Sequence, residues 1–382
     1  MSLAEHVGSP WRAGDGGDGS RAGCRMVAVA SALPALRISN ADVETFLDTS
    51  DEWIASRTGI RERRIAGPEV GLLDLAARAA RAALGAAGWE AADIDTVICS
   101  SSSPDETFPS LACRLQAELG CPHGPAFDIQ AACSGALYGL GLAQSLIQTG
   151  LSRRVLIVSA ELFSRLVDWS DRSTAVLFGD GAGAFLVGGP DEEGSQIIAI
   201  DLGADGSGAH TLGTVPAPEV DPADRRPPYT RSARALGRVV SMNGREVFRF
   251  STRILEQLVL RLADSAGVGL EGIRLVVPHQ ANSRILATAA GRLGLSMDRF
   301  ASNVERLGNT SSASVPLALA EVAANGELEN GDLACLVAFG AGLTWGGVML
   351  RWGPTAVAVD DPAAEPAPGS EGPELAREEA QE

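Results

Sequence analysis

Apolar runs of four to nine residues alternate along this chain with amphipathic stretches and Gly- or Pro-rich turns, a pattern that predicts strands and helices in turn. Residues 26–33 predict a first strand. A helix begins over residues 40–47, with Asn40 as N-cap and Glu44 in its first turns. The polar run "TSDEWIASRTGIRERR" at 49–64 reads as a solvated face. Residues 72–87 predict an amphipathic helix, 94–101 a strand, 110–119 a helix and 126–130 a strand. The helix predicted over 135–149 is apolar on nearly all sides, which places it centrally. Residues 154–160 predict a strand, and 175–188 a strand, a "FGDGAGA" turn and another strand. Residues 189–239 are loop-rich and read as a linker or a cap.

The second half repeats the first. A strand at 273–278 leads to a helix at 283–293, as 94–119 does. Residues 300–304 lead through "GNTSSAS" to a helix at 315–325, as 126–149 does through "AACSGA". Residues 332–339 match 154–160, and 342–351 supply a closing strand. Two βαβαβ units with central helices back to back would bury those helices between two sheets. The turns holding Cys133 and Asn309 are then pseudo-symmetric and face one pocket. The expected organisation is a disordered extension over 1–25, with Met26 an alternative start; a first half over 26–190; a loop-rich connection over 191–240; a second half over 241–352; and a disordered acidic tail over 353–382.

Composition narrows the chemistry. The formal net charge of −17 over 382 residues argues against nucleic acid and anionic membranes as partners. All 31 cationic side chains other than histidine are arginine, which removes Schiff-base, pyridoxal and P-loop lysines. The four histidines and six cysteines show no metal-ligand spacing, so no metal site is expected. No signal peptide is recognisable, which points to a reducing cytoplasm. Residues 129–151 and 333–350 lack charge but are broken by glycines and polar residues, so they read as buried core rather than membrane spans.

Cys133 sits on a strand-to-helix turn among small residues, where helix N–H groups and the helix dipole favour a thiolate. A buried inert cysteine is the competing reading. His279 in "PHQAN" and Asn309 in "GNTSSAS" fall at ends of pseudo-equivalent strands. A thiolate, an imidazole and an amide together suit acyl transfer, with backbone N–H groups as an oxyanion hole and two further donors for a second anion such as an enolate. His279 could instead be a core histidine, and Asn309 a helix cap.

The combination "TSDEWIASRTGIRER", "DIQAACSGALYGL", "DRSTAVLFGDGAGA", "MNGREVFRF", "VPHQANSRI", "GNTSSAS" and "FGAGLTWG" resembles the β-ketoacyl-acyl carrier protein synthase III family over residues 26–352. The resemblance implies an α/β thiolase-like fold in five α-β-α-β-α layers. It implies a catalytic triad of Cys133, His279 and Asn309, and an oxyanion hole from the N–H groups of Cys133 and Ala341. The reaction implied is decarboxylative condensation of a short acyl-CoA, such as acetyl-CoA, with malonyl-acyl carrier protein, without a cofactor, since acyl-CoA is a substrate. Trp53 and Arg172 should sandwich the CoA adenine, with Thr49 and Arg57 nearby. Asn243, Phe248, Ala281 and Asn282 should line the pantetheine tunnel, and Arg249, Arg284 and Arg292 should meet the acidic carrier protein. Phe108 resembles the residue that crosses a homodimer interface to cap the acyl pocket. Alternatives are a starter-unit synthase of a specialised pathway, a non-decarboxylating acyltransferase of the same family, a Cys-His-Asn hydrolase and an inert scaffold.

Overall fold

The structure is a computed structural model and describes residues 23–218 and 237–362. The predicted extension lies outside the described residues up to position 22, and the tail from 363 onward. The extension's expected boundary at 25 moves inward: Cys24 is buried, and Arg25 already opens a strand.

The first half comprises β1 (Arg25–Ala32), β2 (Leu36–Ser39), α1 (Asn40–Glu44), α2 (Asp51–Thr58), β3 (Glu62–Ile65), α3 (Leu72–Ala87), β4 (Thr96–Ser100), α4 (Leu111–Leu119), β5 (Ala126–Ile129), α5 (Gly135–Gln148), β6 (Arg154–Leu162), α6 (Arg172–Ala175) and β7 (Asp180–Gly188). Next come β8 (Ser195–Ala204), β9 (Leu212–Pro216), β10 (Arg238–Met242), α7 (Gly244–Ala266), β11 (Ile273–Pro278), α8 (Ser283–Leu293), α9 (Val304–Leu307), α10 (Ser314–Ala324), β12 (Leu333–Gly340), β13 (Thr344–Arg351) and β14 (Ala356–Asp360). Helix ends follow the capping signals. Ser110 and Asn282 accept from backbone N–H groups at the starts of α4 and α8, and Gly88, Gly120 and Gly294 close α3, α4 and α8 in left-handed backbone.

The strands run β5-β4-β6-β7-β1 in one half and β11-β12-β13-β8 in the other. An isolated parallel bridge from Phe300 to Val276 stands beside β11 where β5 stands beside β4. The expected lead-in strand at 300–304 therefore shrinks to one bridge. The predicted two sheets are joined: Arg25 pairs with Gln196 and Met26 with Ser195, making one ten-stranded sheet bent between halves. Helices α3 and α4 cover one outer face, α7 and α8 the other, and α5 and α10 lie between. This is the α-β-α-β-α layering.

Small residues permit the close layers. A Cβ on Gly181 or Gly183 would meet Leu317 at 2.8 Å or Pro316 at 2.6 Å, so α10 rests directly on β7. The "DGAGA" run is thus the start of a buried strand whose glycines admit a helix, and not the predicted turn, while the strand expected from 175 is the end of α6 and one isolated bridge at Phe178. In the other half of the sheet, a Cβ on Gly346 of β13 would meet Leu137 of α5 at 3.1 Å.

Four further expectations change. The 191–240 connection contains β8, a strand between β13 and β1, because "SQIIAIDLGA" supplies an apolar face. The tail does not start irregular at 353. Strand β14 pairs in parallel with Ala28–Ala32, the stretch of β1 that β8 leaves unpaired, and Arg64 bonds Asp361 at 2.7 Å. The 49–64 run is only partly solvated: Arg63 and Arg64 are buried, and the Arg63 guanidinium donates to the Ile38, Val176 and Asn40 oxygens. Asn40 is not the cap of α1. Its side chain is taken up by Asp51, Ile60 and Arg63, and Ser39 caps instead.

Among the described residues no helix is long and apolar enough to cross a membrane. The uncharged stretches become the end of β5 with its turn and α5, and the β12–β13 hairpin.

Candidate active site

Cys133 sits on a single 3-10 turn, Ala132–Ser134, between β5 and α5. Ala132 takes φ 46°, left-handed backbone that a side chain rarely adopts. Gln130 holds the turn: its Oε1 accepts from the Ala132 N–H at 3.2 Å, and its Nε2 donates to the Ser101 carbonyl at 3.1 Å. From the other half, β12 ends on this turn at Gly340. A Cβ there would stand 2.6 Å from Cys133 N and 3.0 Å from Ala132 Cβ, so the close approach requires glycine.

Asn309 enters from the matching turn. Ser311–Ala313 forms a 3-10 turn before α10, and Ser311 takes φ 49°. Asn309 Oδ1 accepts from the Ser311 N–H at 2.9 Å, which leaves its amide Nδ2 as a donor. In the repeat Ser311 corresponds to Ala132, Ser312 to Cys133 and Asn309 to Gln130. Asn309 shares the pocket of Cys133 without being its positional counterpart.

His279 follows β11. Its N–H donates to the Val337 carbonyl at 2.8 Å, and its ring stands edge-on to Phe339 with centroids 5.1 Å apart. Nδ1 lies 2.6 Å from Ser314 Oγ, and the Gln280 N–H donates to the same oxygen at 3.4 Å. The Ser314 hydroxyl can donate to Nδ1, and with that bond made the ring proton sits on Nε2. Burial lowers the imidazole pKa to about 3, so the ring is neutral near pH 7.

Cys133 departs from expectation. Burial pushes its thiol up to about 12; a hydrogen bond to Ser311 works against this, and the charge of Glu161 adds to it. Desolvation outweighs the helix N-terminus, and the resting group is a thiol. Cys133, His279, Asn309 and Ala341 all line one cavity of about 400 Å³.

Residues 127–206 match the family described as 3-oxoacyl-[acyl-carrier-protein (ACP)] synthase III, and residues 263–352 match its C-terminal part. β-Ketoacyl-[acyl-carrier-protein] synthase III 1 of Bacillus anthracis is 44% identical over 321 residues, spanning 84% of this chain and 96% of the relative. The chain belongs to the 3-oxoacyl-[acyl-carrier-protein] synthase III family. It is an acyltransferase of the condensing class with a thiolase-like fold. The crystal structure of 3-oxoacyl-[acyl-carrier-protein] synthase III from Aquifex aeolicus VF5 superposes with TM-score 0.78 at 41% identity, covering 86% of this chain and 100% of that one. The priming β-ketosynthase of a polyketide biosynthetic pathway superposes with TM-score 0.77 at 34% identity, covering 88% and 99%.

Toward the cavity mouth lie Trp53, Arg57, Arg172, Phe248, Ala281 and Asn282. Arg172 lies 4.6 Å above the Trp53 ring and Arg57 lies 4.8 Å from it. The predicted adenine sandwich is therefore closed here by cation–π contact, and an aromatic base enters between Trp53 and Arg172 only if Arg172 swings out. Asn282 caps α8, and its Nδ2 donates to the Arg57 carbonyl at 3.1 Å. Two residues expected to contact CoA, Asn243 in the tunnel and Thr49 near the adenine, are not among those that line the cavity. Asn243 is spent as the N-cap of α7, and its neighbours Met242 and Gly244 line the cavity instead. Thr49 precedes α2, with its hydroxyl buried and lacking a hydrogen-bond partner among the described residues.

Arg249 and Arg284 are exposed, and Arg284 rests on Phe248 at 5.8 Å. Arg292 is exposed but engaged by Glu256 at 3.5 Å. Phe108 is 82% exposed and does not line the cavity of its own chain. No cluster of three or more His, Cys, Asp or Glu side chains suited to a metal occurs among the described residues.

Sequence reasoning missed Ser311, Ser314 and Glu161. The signals were faint: a lone acid in the apolar strand "RVLIVSAEL", and serine clusters at 101–103 and 311–314.

Proposed function

We propose that Cys133, His279 and Asn309 carry a two-step condensation in this cavity. Cys133 attacks the thioester of a short acyl-CoA, and the N–H groups of Cys133 and Ala341 receive the oxyanion. CoA leaves, and malonyl-acyl carrier protein enters by the same mouth. Loss of CO₂ from the malonyl group develops an enolate on the thioester oxygen. His279 Nε2–H and Asn309 Nδ2–H donate to it. Both donors are neutral, so neither must give up a proton to act. The carbanion attacks the acyl-enzyme and a 3-oxoacyl thioester departs, the product that opens fatty acid synthesis.

The observation that carries this reading is the convergence of a cysteine, an imidazole and a side-chain amide, from both halves of the repeat, on one largely apolar cavity. Trp53 and Arg172 would hold the adenine, with Thr49 and Arg57 beside them; Phe248, Ala281, Asn282 and the Asn243 cap would frame the pantetheine arm. Arg249, Arg284 and Arg292 would meet the acidic carrier protein, a local basic patch on an acidic enzyme. The exposure of Phe108 supports a homodimer in which it reaches the partner's acyl pocket. Six free cysteines support a reducing, cytoplasmic setting.

Incubation with acetyl-CoA should add one acetyl group at Cys133, and malonyl-acyl carrier protein should then release CO₂ and free the cysteine. An acetylated enzyme that never releases CO₂ would leave only acyl transfer. The likeness to a priming β-ketosynthase supports a second reading, supply of a starter unit to a specialised pathway. A survey of acyl-CoA chain lengths bears on the choice.

A further inference from the structure

The two N–H groups that would receive the oxyanion sit on turns from opposite halves of the chain, and one side chain bonds to both turns. Thr344 opens β13, just after the loop that holds Ala341. Its Oγ1–H faces two carbonyls, that of Ala131 at 2.9 Å and that of Ala341 at 3.0 Å. The same oxygen lies 3.3 Å from Ser134 Oγ, whose proton it can accept. Ala131 and Ser134 bracket the Cys133 turn, so that turn is gripped on both sides of the Cys133 N–H. Thr344 does not line the cavity itself, whereas Cys133, Gly340 and Ala341 do.

The surroundings are shaped for this side chain. A Cβ on Gly340 would stand 3.3 Å from Thr344 Oγ1, and one on Gly342 would stand 2.7 Å from its Cγ2. On the far side of the loop, Leu343 donates to the Asp205 carbonyl at 2.8 Å and accepts from the Asp205 N–H at 2.7 Å. The loop holding Ala341 is therefore anchored just past β8 on one side and to the Cys133 turn on the other. Among the described residues no backbone hydrogen bond joins the two turns, and neither the Cys133 N–H nor the Ala341 N–H is taken up by another acceptor. The hydrogen bonds between these turns all run through the Thr344 hydroxyl.

We infer that Thr344 is a positioning residue for the oxyanion hole: its hydroxyl holds the Cys133 and Ala341 N–H groups at one spacing, aimed at one point. The inference rests on Cys133 being the acyl acceptor. When sulfur adds to the thioester carbonyl, charge gathers on the carbonyl oxygen and is received by donors whose separation is already set. A pair left to drift must be brought together at that moment, which slows the step. The carbanion's attack on the acyl-enzyme draws on the same hole. No bond runs from Thr344 to the sulfur, so the thiol itself is left as it is.

The test compares two reactions of one sulfur. Acetylation by acetyl-CoA gathers charge on a carbonyl oxygen, whereas alkylation by iodoacetamide expels iodide and needs no oxyanion hole. Both rates are read at the Cys133 peptide by mass spectrometry. Thr344→Val keeps the side chain's shape and removes the hydroxyl. It should acetylate about 10–10²-fold more slowly at saturating acetyl-CoA, with the KM for acetyl-CoA and the alkylation rate each within about twofold of the parent. Thr344→Ser keeps the hydroxyl and should acetylate within about threefold of the parent. Thr344→Ala, which crowds nothing, repeats the comparison should the valine variant not fold.

Unchanged acetylation in the variants that lack the hydroxyl would overturn the inference. Acetylation and alkylation slowed by the same factor would mean that Thr344 places the nucleophile or supports the fold, and would overturn it as well. A serine variant as slow as the valine would assign the effect to the methyl group, with the same consequence. A parent enzyme that acetyl-CoA does not acetylate would bring down the proposed function and this inference with it. A parent acetylated on Cys133 keeps that function standing whichever way Thr344→Val falls.

Discussion

The turns before α5 and α10 are copies with opposite fates. Each is one 3-10 turn entered through a left-handed residue, Ala132 at φ 46° and Ser311 at φ 49°. In each, an amide side chain two residues upstream accepts that residue's N–H, Gln130 in one and Asn309 in the other. Each also packs on a strand end from the opposite half. The first meets β12 at Gly340, where nothing projects, and its Cys133 faces the cavity. The second meets β6 at Glu161, and its Ser312 is tied to that carboxyl and buried. One backbone thus makes an open site and a closed one. The side chain of the opposing strand end decides which, and the closed turn supplies Asn309 and Ser311 to the open one.

Substitutions can break this asymmetry, and the largest effect belongs to the nucleophile. Cys133→Ala should abolish acyl-enzyme formation and lower turnover by at least about 10³-fold, whereas Ser312→Ala should still become acylated; intact mass after acetyl-CoA separates them. Gly340→Val comes next. Its Cβ would meet Cys133 N at 2.6 Å, so the turn must shift, and acylation should fall about 10²-fold while circular dichroism and a cooperative melt persist. His279→Ala and Asn309→Ala should spare acylation and depress CO₂ release by about 10²–10³-fold, because their donors serve the enolate. Ser314→Ala removes the hydroxyl that His279 Nδ1 and the Gln280 N–H share. A loss of about tenfold in CO₂ release is expected, with acylation unchanged.

The smallest effect is on stability. His279 stays neutral in the fold to about pH 3, while the unfolded chain protonates it near its ordinary 6.5. Between those values the unfolded state binds the extra proton, so stability falls as pH falls. Asp180 opposes this: burial lifts it to about 6, and the fold takes up a proton as pH drops from there toward 3.8. His279→Gln should therefore lose less stability than the parent between pH 7 and 5, by at most about 1.4 kcal/mol per pH unit, read from urea midpoints. An equal loss in both would remove His279 as the source.

Much of this was legible in the chain itself. The helices at 72–87 and 283–293 and the strand at 273–278 were read with their observed bounds, because period, caps and breakers agree there. The three residues that meet in the cavity were read from motif and repeat together. The misreadings share one cause, which is dependence on distant partners. "DGAGA" looks like a turn until α10 presses on it, and β14 looks like a tail until β1 offers an unpaired edge. Arg63 and Arg64 look solvated until the oxygens that receive them are in place. The helix N-terminus promised a thiolate, but only packing reveals the desolvation that keeps Cys133 protonated.

The central claim is that the open turn, and not its copy, takes the acyl group and passes it to a carbanion. It is tested most directly by peptide-resolved mass spectrometry of the enzyme after acetyl-CoA and again after malonyl-acyl carrier protein. One acetyl group should appear on the Cys133 peptide and then vanish, matched mole for mole by CO₂ and a 3-oxobutyryl carrier protein. Acetyl on any other residue, or a Cys133 adduct that persists with no CO₂ released, would contradict the account.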